Sequence, residues 1–238
     1  MNDWVAFYDS AHSIYVNARH RDIHYRRLAD AIAGYVTSPS AAVLDYGCGE
    51  ALHADRLAAV AGEVMLAEAA PSVRGKLIER FGRNRRITVV PTERIPLMPA
   101  NSFDLVMMHS VAQYLTAEEF DRTAALFHHL LKPGGLLVVG DVLPPHVSMA
   151  SEAIALLRFG WADGFFVAAI RGLVRTYFSD YRRLRTQMGL SLYTQEQMTE
   201  RLVAAGFAVT LAEKNIGHLD TRMTFLARKG AASYILPD

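Results

Sequence analysis

The chain has 238 residues, of which 51% are hydrophobic and 21% charged, with a formal net charge of +1. A chain this long buries roughly 70–75% of the surface it exposes when unfolded, so a core can hold it without a disulfide or metal staple, and the composition excludes disorder. The near-balanced charge argues against a dedicated nucleic-acid binder, and the single cysteine, Cys48, excludes an internal disulfide and a cysteine-cluster metal site.

Met-Asn-Asp-Trp at the start lacks the basic segment and apolar run of a signal peptide. Residues 1–36 have helical spacing, with Trp4, Phe7 and Tyr8 on one stripe and Tyr25, Leu28, Ile32 and Tyr35 on another. From about 42 to 142, short apolar runs alternate with helical stretches, the pattern of a parallel sheet with crossover helices. The strands are expected at Ala42–Leu44, Val64–Ala67, Thr88–Val90, Leu105–Met108 and Leu136–Val139, and the helices near 52–61, 72–82 and 117–131. Residues 144–190 follow as a helical insertion in which three acids accompany six arginines (158, 171, 175, 182, 183, 185). Its most apolar part, Phe159 to Phe178, is interrupted by Asp163, Arg171 and Arg175, and is not expected to span a membrane. A helix near 195–205 and strands near 207–212 and 222–228 complete the chain, the last two close enough to pair antiparallel at the sheet edge. The expectation is one cytoplasmic α/β domain: a cap over 1–36, a core over 37–143, a lid over 144–190 and a closing segment over 191–230.

The sharpest motif is Val43-Leu44-Asp45-Tyr46-Gly47-Cys48-Gly49-Glu50-Ala51. A strand runs into Asp45, and two glycines then open a helix. Glycine there permits positive φ and removes a Cβ, so a ligand can lie against the main chain. Nineteen residues beyond Gly49, the second strand ends in Glu68, where nucleotide-binding α/β folds place the carboxylate that holds ribose hydroxyls. A nicotinamide dehydrogenase would need a third glycine, which Gly47-Cys-Gly49-Glu-Ala-Leu lacks.

With Asp45-Tyr-Gly-Cys-Gly, Glu68, Thr92-Glu93-Arg94-Ile95-Pro96, Asn101-Ser102-Phe103-Asp104 and Leu131-Lys132-Pro133-Gly134-Gly135 in this order, the chain resembles the class I S-adenosylmethionine (SAM)-dependent methyltransferases. The resemblance is to the type 11/12 group related to ubiquinone-biosynthesis methyltransferases. It implies a Rossmann-like, seven-stranded, mostly parallel sheet with helices on both faces and an antiparallel last strand. It also implies SAM as cofactor, with S-adenosylhomocysteine as product. The cofactor-binding residues it implies are Asp45, Gly47, Cys48, Gly49, Glu68, Ala69, Thr92, Glu93, His109 and Ser110, and Tyr114 would face the acceptor. Two positions depart from the family pattern: Ala51 replaces the third glycine of the loop, and Pro91 replaces an aspartate, a loss of about 1 kcal/mol if one adenine hydrogen bond goes.

Methyl transfer is an in-line displacement that needs alignment and exclusion of water. Tyr8, Tyr15 and Tyr114 are candidate aromatic faces for a cationic methyl. A hydroxyl or ammonium acceptor needs a base, and His109, at the end of a central strand, is the candidate. His146 and His218 are alternatives in loops, and His12, His20 and His24, with Arg21, are candidates to close over the cofactor. Asp141 has no companion carboxylates at metal-ligand spacing, so no metal is expected. The apolar, arginine-flanked insertion leaves three readings open: a lid over a hydrophobic or aromatic acceptor bearing an anionic group, a homodimer interface, or docking on an anionic membrane. The expected activity is methylation of a small-molecule acceptor. The alternatives are an idle methyltransferase-fold scaffold and a peripheral-membrane lipid or quinone methyltransferase.

Overall fold

The computed structural model describes residues 3–9, 15–145, 149–177, 189–217 and 219–230. The chain enters through α1 (Asp3–Asp9) and α2 (Ala18–Ala33), and α2 is capped by the Asn17 side chain, which accepts from the His20 amide at 2.8 Å. The apolar runs then become strands β1 (Ala42–Tyr46), β2 (Glu63–Ala67), β3 (Ile87–Val90), β4 (Phe103–His109) and β5 (Leu131–Val142). Between them lie α3 (Ala54–Val60), α4 (Pro71–Phe81), two short 3₁₀ turns (Thr92–Leu97 and Ala112–Tyr114) and α5 (Ala117–Leu130). After β5 come α6 (Met149–Ala162), α7 (Phe166–Tyr177), α8 (Gln195–Ala204), β6 (Phe207–Leu211) and β7 (Met223–Lys229). Local chemistry starts the helices where expected: α4 begins on Pro71, and α5 and α8 each carry a reciprocal capping box, Thr116 with Glu119 and Thr194 with Gln197.

The seven strands form one sheet in the order β3-β2-β1-β4-β5-β7-β6. The first five are mutually parallel, and β7 runs antiparallel to both β5 and β6. The C-terminal pair joins antiparallel at this side of the sheet as expected, with β7 inserted between β5 and β6 and β6 at the edge. Strand alternation separates two cores. Leu44, Met65, Val106, Phe120, Phe127, Leu202 and Phe225 pack on the α5–α8 side. Val43, Leu66, Met107 and Val138 pack with Leu28, Ile32, Leu57 and Leu77 on the side of α2, α3 and α4.

The fifth strand is longer than the expected run Leu136–Val139: β5 begins at Leu131, so Lys132-Pro133-Gly134-Gly135 are among its first residues. Their function here is structural. Lys132 Nζ lies 2.7 Å from Asp104 Oδ2, and that oxygen also accepts from the Ala42 amide at 2.8 Å. One carboxylate thus pins the beginnings of β1, β4 and β5, at the end of the sheet opposite the glycine loop.

The helix α2 is buried on two sides. Tyr25, Leu28, Ala29 and Ile32 face the sheet and α3, while Ile23 joins Phe159, Phe165 and Ala169 from the α6–α7 hairpin. The hairpin rides on α2. Arg27 donates to both carboxylate oxygens of Asp163 at 2.8 and 2.9 Å, Arg19 donates to the Asp163 carbonyl, and Gly172 passes so close to Val16 that a Cβ would fall 2.2 Å from it. His12, His146, Asp180, Arg182, Arg183, Arg185 and His218 lie outside the described residues.

Candidate active site

Register places the acidic and basic groups together. Asp45 on β1 pairs with Leu66 of β2 and Met107 of β4, so Glu68 and His109, each two residues further along, share its face beyond the C-terminal strand ends. Open α/β sheets bind ligands in that crevice, and here α2 forms its roof.

Gly47 and Gly49 have φ of +71° and +58°, and each is approached so closely that a side chain would collide. A Cβ on Gly47 would fall 2.5 Å from Val111, and one on Gly49 would fall 2.7 Å from the Tyr25 hydroxyl. Between them, Cys48 is buried, and burial pushes its thiol well up. Ala51 takes φ +36°, a left-handed conformation that costs an alanine more than the glycine of the family pattern.

Glu68 is held by the loop. It accepts from the Gly49 amide at 2.9 Å and the Ala70 amide at 2.8 Å, which leaves lone pairs on both oxygens. Burial raises its carboxyl and these amides oppose the rise. Asp45 differs: it is buried and makes no hydrogen bond among the described residues. Burial, reinforced by the charge of Glu68, pushes its carboxyl up to about 7. A buried carboxylate without a partner is costly, and a cationic or hydrogen-bond-donating ligand would remove the cost. The crevice between Tyr25, Asp45, Cys48 and Ala51 measures about 20 Å³, the room of one water molecule, with α2 seated on it.

Tyr25 is the site residue that sequence reasoning placed only in an apolar stripe. Its hydroxyl accepts from the Glu50 amide at 3.0 Å and is paired with Tyr15. The available signal was the hydroxyl itself, since a buried tyrosine needs a polar partner. Arg21 reaches Glu50 at 3.2 Å, so α2 is tied to the glycine loop at two points.

Beyond the loop, a second crevice of about 60 Å³ lies between His24, Arg27 and Leu28 of α2, His109, Phe159 of α6, and Ile216 and Gly217. His109 is buried, its Nε2 has no hydrogen-bond partner among the described residues, and burial lowers its pKa against the opposing charge of Asp141. The imidazole is therefore neutral near pH 7. The His24 ring lies 6.0 Å away, centroid to centroid. Ser110 and Asp141, side by side at the ends of β4 and β5, take φ of +55° and +63°. Their strain is held by a network that the sequence did not reveal. Ser110, Arg222 and Asn215 all donate to the Asp141 carboxylate, and Thr224 donates to Asn215 at 2.7 Å. Although burial opposes it, Arg222 foremost holds Asp141 below the usual carboxylate range. Asn215, Arg222 and Thr224 come from the distant β6–β7 segment, which carries no motif.

The remaining expected residues are spread around this centre. Ala69 is half-buried and its carbonyl accepts from Arg74; Thr92 and Glu93 open the first 3₁₀ turn beyond β3, with Glu93 exposed. The Tyr114 hydroxyl lies 2.6 Å from that of Tyr8, and its ring packs on Trp4 at 4.5 Å. His20 stacks on Phe165 at 5.0 Å, in the contact between α2 and the hairpin. No group of three metal-ligating side chains gathers among the described residues.

Comparison with known proteins matches part of the chain to a described family and the whole fold to solved structures. Residues 44–139 match the family described as methyltransferase domain. A search of curated proteins finds no match. Among solved structures, the N-methyltransferase NodS from Bradyrhizobium japonicum, in complex with S-adenosylhomocysteine, superposes with a TM-score of 0.57 at 18% identity, covering 95% of this chain and 96% of that one. Human N-acetylserotonin methyltransferase in complex with SAM gives 0.57 at 16% identity, covering 88% and 52%. The [4+2]-cyclase SpnF gives 0.56 at 17%, covering 86% and 80%. These likenesses show the fold, and the segment 44–139 that matches the methyltransferase domain is the part of the chain that holds the glycine loop, Glu68 and His109.

Proposed function

We propose that this chain transfers a methyl group from SAM to a small-molecule acceptor. The observation that carries the reading is the pair of buried carboxylates beside the glycine loop, one clamped by amides with lone pairs to spare and the other without a hydrogen-bond partner among the described residues. The cofactor fits them chemically: Asp45 would take its ammonium group, Glu68 its ribose hydroxyls, and Gly47 and Gly49 would let it lie against the main chain. Ala69, Thr92 and Glu93 would line the adenine side. When bound, SAM supplies a methyl carried on a sulfonium. His109 and Ser110 border the reaction centre, and the neutral His109 Nε2 is available to take a proton from an acceptor hydroxyl or ammonium. Leu28, Phe159 and Ile216 give the second crevice apolar walls, and Arg27 at its rim, paired with Asp163 through one nitrogen, keeps its other N–H donors for an acceptor group, so the acceptor would be hydrophobic or aromatic with an anionic group. Tyr114 would border the acceptor on the side of α1.

Calorimetric titration with S-adenosylhomocysteine is the test. One site per chain with micromolar affinity is expected, weakened at least tenfold in Glu68→Gln. The absence of binding, with labelled SAM giving no transfer to any component of a cell extract, would overturn the proposal. It would favour the second reading, an idle fold used for binding, which rests on the left-handed Ala51 and on α2 filling the crevice.

A further inference from the structure

The outer face of the α6–α7 hairpin is unlike the rest of the surface. Of the ten exposed large apolar side chains among the described residues, four sit on this one hairpin: Ile154, Trp161, Val167 and Ile170. Trp161 is 77% exposed, and Phe166 is the ring it touches. The spacing gathers them on one side. Ile154, Arg158 and Trp161 recur at i, i+4 and i+7 on α6, and Val167, Ile170 and Arg171 at i, i+3 and i+4 on α7. The opposite sides, with Phe159 on α6 and Phe165, Ala169 and Gly172 around α7, are buried against α2 and against each other.

The charges on this face all have one sign. Arg158 and Arg171 are exposed and make no ion pair among the described residues, whereas Asp163, the acid of the turn, is neutralised by Arg27. The chain continues past α7 into Tyr181-Arg182-Arg183-Leu184-Arg185, which extends the basic excess in the sequence. A second copy of the chain would bring the same arginines against these. An aqueous surface would leave a tryptophan and three aliphatic side chains wet. An anionic lipid surface satisfies both kinds of group, because Trp and aliphatic side chains enter the headgroup boundary while arginine heads remain beside lipid phosphates.

We propose that the outer face of α6–α7 docks on anionic membrane surfaces. No helix among the described residues is long and apolar enough to cross a bilayer, so the contact is peripheral. It does not depend on the methyl-transfer reading and is measured without cofactor. Phe159, on the buried side of α6, walls the crevice beside His109, so a docked hairpin sets the lipid surface one helix away from the site.

The test is sedimentation of the full chain with phosphatidylcholine vesicles and with phosphatidylcholine–phosphatidylglycerol vesicles, read together with tryptophan emission. The chain has two tryptophans, and Trp4 is only 5% exposed, so a change in emission on docking reports Trp161. Sedimentation with the anionic vesicles only is expected, with a blue shift that Trp161→Phe abolishes. Partitioning is expected to fall about fivefold for each of Arg158→Gln and Arg171→Gln, and to fall with added salt. These side chains touch no core, so the variants keep their thermal midpoints. No sedimentation with anionic vesicles, equal sedimentation with neutral ones, or a blue shift that grows with protein concentration without lipid (a second copy on the face) would each overturn the proposal.

Discussion

Asp45 shows how one side chain can set a functional position against stability. Its carboxyl is pushed up to about 7 in the folded chain from an ordinary 3.8. A carboxyl that binds its proton more tightly when folded stabilises fully at low pH, and that contribution is lost as pH rises toward 7. Asp45→Asn removes the loss. The ligand-free variant is expected to melt higher than the parent at pH 8, by an amount that corresponds to at most about 4 kcal/mol, and equally at pH 4. Its affinity for S-adenosylhomocysteine is expected to fall. Differential scanning calorimetry across pH and ligand titration check both, and a parent-like melt at pH 8 would show that Asp45 already has a counter-charge. The clustering of Asp45, Gly47, Gly49 and Glu68 at one end of the strands was legible in the sequence because it depends on local backbone geometry. The Asp141 network was not, since Asn215 and Arg222 lie more than 70 residues from it.

The element that governs access is α2. Its sequence shows an amphipathic stripe, Tyr25-Leu28-Ile32, yet the helix is buried on two sides. The second side, His20 and Ile23, has too few apolar residues to signal burial, and it is covered because the hairpin supplies Phe159 and Phe165. Cys48 lies beneath α2 with its thiol pushed up by burial, so its modification reports the parting of α2 from the glycine loop. Tyr25→Phe removes the bond from the Glu50 amide, worth about 1 kcal/mol. It is expected to speed maleimide labelling of Cys48 by about fivefold with little change in secondary structure. An unchanged labelling rate would assign the closure of α2 to its ion pairs with Glu50, His53 and Arg56 instead.

At the scale of the molecule, the sheet depends on its C-terminal end. Strand β7 lies between β5 and β6, and Phe225 on it is fully buried among α5–α8 side residues. Phe225→Ala is expected to cost about 3–5 kcal/mol of unfolding free energy, measured by urea titration. A much smaller loss would mean that the β6–β7 pair is a dispensable edge. Arg222 stands just before this strand and Thr224 lies within it, so the closing segment both completes the core and, through Ile216 and Gly217, walls the second crevice.

The parallel core, the glycine loop and the acidic end of β2 were determined by the sequence alone, because short continuous apolar runs, positive-φ glycines and strand-end carboxylates are consequences of neighbouring residues. The extent of β5, the interior place of β7, the meeting of Asp141 with Arg222 and Asn215, and the stacking of sheet, α2 and hairpin were decided only by the tertiary structure. Each of these depends on which distant segment covers a given face or neutralises a given charge, and such long-range choices leave no periodicity in the chain itself.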